Sequence, residues 1–174
     1  MNWTKLLTAD AEASFNATLG LVDLVDDDML AFKPETGSNW MTMGQLLMHL
    51  TTACGFCCRG FLTGDWGMPE GQKVEDLPPD EMLPPAEKMP TVETVAQARE
   101  MIEKDKALTF EMIAEAGEEG LASKMVNAPW NPEPRNLGHH FIHMISHLDS
   151  HKSQLFYYLK LLGKPVHTGS LWGM

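Results

Sequence analysis

The chain has 174 residues and a formal net charge of −11, a length that supports one domain with a sizeable core and not two. Its 13 Lys and Arg residues are scattered, so no basic stripe can neutralise a phosphate backbone and nucleic acid is not expected as a partner. No apolar run approaches membrane-spanning length, the first residues lack the apolar centre of a signal peptide, and Cys54, Cys57 and Cys58 are too few and too crowded for a secreted disulfide framework, so a cytoplasmic protein with no membrane partner is expected.

Four segments carry helical periodicity. The first runs from about Thr4 to Val25, with Leu7, Ala11, Phe15, Thr18, Val22 and Val25 at spacings of three and four, and Asp26-Asp27-Asp28 follow it. The second begins at Thr42, where Thr42 and Gln45 form a capping-box pattern, and passes through Leu46, Leu50, Ala53 and Cys57 to about Phe61. From Asp65 to Pro90 proline, glycine and acidic residues predominate, so this stretch reads as a long surface connection. The third helix spans about Thr91 to Ala116, with Gly117 and Gly120 breaking it. A loop containing Trp130, Pro132 and Pro134 then leads to Asn136, the expected N-cap of a fourth helix that ends at Gly163 with Pro165 beyond. A connection as long as the one after helix two allows helices two and three to run parallel. The expected fold is all-α, a single domain over residues 1–174.

Chemistry gathers on the histidines. Four of them, His139, His143, His147 and His151, repeat every fourth residue in the last helix. Each step of four returns to nearly the same face, about 40° displaced and about 6 Å farther along the axis, so neighbours can share a ligand. The apolar stripe Phe141, Met144, Leu148, Leu155, Tyr158, Leu162 places His151 at a core position, with His147 flanking it. On helix two, His49 shares a face with Leu46, Ala53 and Phe56. His49, His147 and His151 are therefore the candidate ligands of one divalent metal ion, for which neutral imidazole suits zinc, nickel, copper or iron. Three protein ligands leave a position open, where the ion could lower the pKa of a bound water or thiol. Core histidines bonded to backbone or buried water are the plain alternative. His139, His140 and His143 are expected to be exposed or to support ligands from behind, with His143 also able to replace His151 in a pair with His147, and His167 is expected on the surface.

Other features read as structural. On a continuous helix Cys54 would lie about 140° and Cys57 about 80° from His49, which suits packing better than ligation. Met43, Met48, Met101, Met112 and Met144 fall on apolar faces. Trp130 and Trp172 could cover a pocket mouth or a subunit interface. Glu12 and Asp105 lie within helices, where charged residues are usually solvated, and no carboxylate is marked as a general base.

Two motifs resemble a known family. Trp40-Met41-Thr42-Met43-Gly44-Gln45-Leu46-Leu47-Met48-His49-Leu50 is similar to the segment that opens helix two in the DinB-like (DinB/YfiT-like) proteins. His147-Leu148-Asp149-Ser150-His151-Lys152-Ser153-Gln154-Leu155 is similar to their second histidine motif, although Lys152-Ser153-Gln154 stands where Arg-Gly-Gln is common. Lys lacks the bidentate fork of Arg, so a role that depends on that arginine does not carry over. The resemblance implies a four-helix bundle of up-down-down-up topology with a long crossover between helices two and three, often as a homodimer. It also implies a divalent metal, zinc or nickel, on His49, His147 and His151. Characterised relatives include transferases and an isomerase that use low-molecular-weight thiols, so a thiol-dependent transferase or a hydrolase acting on a small molecule is the expected activity. A non-catalytic, structural or sensing metal protein is the rival.

Overall fold

The computed structural model describes residues 2–174, and its first helix begins with paired caps. The Asn2 side chain accepts the Lys5 N–H while the Glu118 carboxylate accepts those of Trp3 and Thr4, so the opening donors of α1 (Trp3–Val22) are satisfied from both sides. The helix stops short of the expected Val25, which is nevertheless buried just beyond it. Thr42 and Gln45 form the capping box read from the sequence and open α2 (Met43–Leu50).

The second predicted helix is two helices. α2 ends at Leu50, and α3 (Gly55–Thr63) starts after a break over residues 51–54. The break has a clear cause in α5 (Val95–Ser123), where Asp105 was expected to face water and is instead 4% exposed. Its carboxylate accepts the N–H groups of Cys54, Gly55 and Phe56 at 3.1, 2.9 and 2.8 Å, taking over the first-turn donors of α3. A buried anion at a helix N-terminus is favoured by those N–H groups and by the helix dipole. Burial pushes the Asp105 carboxyl up to about 6, against the pull of the three N–H bonds. Gly55 permits this approach, since a Cβ there would collide with the Asp105 carbonyl and the Thr109 nitrogen.

The connection after α3 is not wholly irregular. It holds α4, a single turn at Pro79–Met82, and 3-10 turns at Val74–Asp76 and Ala86–Lys88. α5 runs past the expected stop at Ala116, with Gly117 in a non-helical conformation (φ 60°, ψ 176°) that marks a kink where the sequence placed an end. The loop before the last helix is a β-hairpin. β1 (Met125–Ala128) pairs antiparallel with β2 (Asn131–Asn136), and a register irregularity lies between Val126 and Ala128. Pro132 and Pro134 are compatible with β2 because neither strand of a two-stranded ribbon is central. Asn136 then caps α6 (Leu137–Leu161) by accepting the His139 N–H, as expected. A 3-10 turn at Thr168–Trp172 closes the chain.

The fold is thus mostly helical with one small sheet. α1 lies along α5 and α6, α3 packs on α5, and α2 packs on α6 and α5. Leu7, Phe15, Leu46, Leu50, Ile102, Phe141, Leu148 and Leu155 fill the space between them. Tyr158 donates its hydroxyl to the Met41 carbonyl at 2.8 Å, which fastens the entry of α2 to α6. Among the described residues no helix is long and apolar enough to cross a membrane.

Asp105→Ala leaves three buried N–H groups without acceptors. We expect it to lower stability by about 3 kcal/mol, read as a shifted urea midpoint at constant m-value.

Candidate metal centre

α2 carries His49 near its end, and α6 carries His147 and His151 one turn apart. With α2 packed on α6, all three rings turn their Nε2 atoms to one point. His147 Nε2 lies 3.1 Å from His49 Nε2 and 3.0 Å from His151 Nε2. Among the described residues these three form the group of His, Cys, Asp or Glu able to hold a metal, with ligand atoms all within 4.8 Å of one another. Each of the three residues is half-buried.

The far sides of two rings are already engaged. His147 Nδ1 lies 3.1 Å from the Ala53 carbonyl oxygen, which can only accept, so Nδ1 carries the proton and Nε2 keeps its lone pair. His151 Nδ1 lies 2.7 Å from Gln154 Oε1 and is set the same way. Two lone pairs at 3.0 Å then face each other with no proton between them. Even with His49 donating to His147, one imidazole nitrogen cannot satisfy two neighbours. A cation at the common point satisfies all three together. Zinc–nitrogen bonds of about 2.0–2.1 Å at tetrahedral angles put ligand atoms about 3.3 Å apart, close to the spacing found.

Electrostatics agree with this arrangement. Burial, and then the neighbouring His151 and His147, hold the His49 imidazole down to about 3. Burial is also the first cause lowering His151, against its bond to Gln154. His49 and His151 are therefore kept neutral, which is the form that ligates.

The other sequence candidates go elsewhere. His143 is exposed and lies against His139, with ring centroids 4.6 Å apart, outside the three-histidine group. His140, expected to be exposed or to support the ligands, is 5% exposed, bonds the Val126 carbonyl through Nε2 at 3.0 Å and stacks on Phe61. His139 accepts from Arg135 at 2.8 Å. His167 accepts the Gly169 N–H in the last turn. Cys54 and Cys58 are buried, and burial pushes the Cys57 thiol up to about 12, so the cysteines are packing residues and not nucleophiles. Lys152 is buried and pairs with Asp149 at 2.7 Å, beside Asp10 and Ser14 of α1.

Three contributors escaped the sequence reading. The Ala53 carbonyl is freed only because the helix breaks there, and Asp105 fixes that break from 50 residues away. Gln154 stood in the second motif, three residues after His151 and thus one turn along the same helix, a spacing that could have marked it.

The matrix of features meets a family match over most of its length: the model of the DinB superfamily matches residues 11–155, and the chain belongs to that superfamily. No curated protein matches the chain.

The hydrogen-bond pattern fixes tautomers that can be observed directly. In metal-free protein at neutral pH, long-range 1H–15N spectra should show His147 and His151 protonated at Nδ1; protonation of His147 at Nε2 would contradict the contact with Ala53.

Proposed function

We propose that this DinB-superfamily protein is a metal-dependent enzyme in which His49, His147 and His151 hold one divalent ion, zinc or nickel, and a small electrophilic molecule reacts with a thiol or with water. The convergence of three neutral Nε2 atoms on one half-buried point carries this reading. When bound, the ion would supply Lewis acidity that favours the conjugate base of a thiol or water at neutral pH.

The residues around it do the positioning. Ala53 and Gln154 orient His147 and His151 through their Nδ1 protons, and Asp105 holds the 51–54 segment that offers the Ala53 carbonyl. Three protein ligands leave a fourth position of a tetrahedral ion for substrate or water, as catalytic sites require and closed structural sites do not. A low-molecular-weight thiol as co-substrate makes the activity that of a transferase, and water makes it that of a hydrolase.

The same reading takes the chain as one domain and as a four-helix bundle in which α2 and α3 together serve as the second helix. The connection from α3 to α5 is long enough for an up-down-down-up order. A cytoplasmic homodimer is the assembly that goes with it.

Plasma mass spectrometry after reconstitution with zinc or nickel should find about one ion per wild-type chain and a loss of it in His49→Ala, His147→Ala and His151→Ala. A wild type that stays metal-free would sink the catalytic reading. Gln154→Ala should keep the ion but weaken it by about 10–100-fold in competition with a chromogenic chelator, because the His151 ring loses its support.

A further inference from the structure

A cavity outside the three-histidine group opens on the hairpin side of α6. It has a volume of about 180 Å³ and lies between the hairpin, α3 and the first turns of α6. Its wall is aromatic, with Phe61 stacked on His140 at 4.2 Å and Trp130 edge-on to Phe61 at 5.9 Å. Its polar groups are Asn131, Glu133 and Arg135 from β2 and His140 and His143 from α6.

Arg135 is held for use. Its Nη1 donates to His139 Nε2 at 2.8 Å, which fixes the plane of the guanidinium without neutralising its charge. Glu133 approaches only to 3.5 Å, and its side chain is 70% exposed, so this pair contributes little and is readily exchanged. A carboxylate that displaces the long, exposed Glu133 contact from Nη2 meets a planar fork at the edge of an aromatic slot, and the ring attached to it can lie against the half-exposed Trp130.

We infer that this cavity binds the carboxylate of a small aromatic or heteroaromatic acid, with Arg135 as the anchor. His143 on the cavity wall stands one turn before His147, about 6 Å along the helix axis, so the cavity and the three imidazoles occupy successive stretches of α6. Its assignment as substrate rests on the metal-enzyme reading above. The binding itself does not.

The test uses the full chain labelled with 15N, titrated with benzoate and with its neutral isostere benzamide, in metal-loaded and chelator-treated forms. Benzoate should shift the Trp130 indole resonance in both forms, and benzamide should bind at least about tenfold more weakly. Arg135→Ala should abolish the benzoate shifts, and Arg135→Lys, which keeps charge but not the fork, should weaken them while leaving the fold intact. Equal shifts with the two compounds would overturn the inference. So would benzoate shifts that need the metal and survive Arg135→Ala, since the acid would then sit on the ion. Loss of metal binding alone, with benzoate still dependent on Arg135, would defeat the metal-enzyme reading and leave the acid pocket standing.

Discussion

Asp105 sits in the middle of α5 at 4% exposure and gives both carboxylate oxygens to the N–H groups of Cys54, Gly55 and Phe56. A carboxylate in that position is costly unless bonded, and the bonds it takes are ones that a continuous helix would have used internally. Satisfying Asp105 therefore requires that the helix end after His49 and restart at Gly55. The interruption turns the Ala53 carbonyl out of the helical ladder toward α6, where it receives the His147 Nδ1 proton. One buried acid thereby determines the helix break, and the helix break determines the tautomer of a candidate ligand.

The three imidazoles are under a complementary constraint. Two have their Nδ1 protons claimed, by Ala53 and Gln154, and all three press their Nε2 atoms together. Protonating one ring to relieve the crowding would bury a charge beside two other imidazoles, which is why burial and the neighbouring rings depress His49 so far. Neutral rings with inward lone pairs are the state left to the apoprotein, and a divalent cation is the partner that this state suits.

Much of this was legible in the sequence. The capping box at Thr42, the cap at Asn136 and the apolar stripes are local signals, and they set the start of α2, both ends of α6 and the inward face of His49 within a residue or two. The spacing of His147 and His151 is equally local. The break at 51–54 was not legible, because Ala53 and Cys57 continue the helical pattern and its cause lies in a different helix. The hairpin escaped because Pro132 and Pro134 argue for a loop, and a strand tolerates them where, as in this two-stranded ribbon, it is an edge. The row of histidines looked like one feature, yet a step of four advances about 40°, so the face turns by about 120° from His139 to His151. That rotation delivers His139 and His143 to the hairpin and His147 and His151 to α2.

The division of the row fits the charge of the whole molecule. At −11 the surface field draws divalent cations toward the protein and repels small anions. Such a field is screened over about 8 Å at physiological ionic strength, so groups within that distance decide what binds at a given point. Beside His139 the nearest fixed positive charge is Arg135, and burial first, then the adjacent rings and Arg135, lowers His139 and His140 below the ordinary histidine range. An acid drawn to Arg135 would lie within about two turns of the imidazole cluster, where the cation-attracting field favours a metal. Under the two proposals the cation point lies between α2 and α6 and the anion point at the hairpin, so an anionic substrate would approach with its charged end held away from the reacting end.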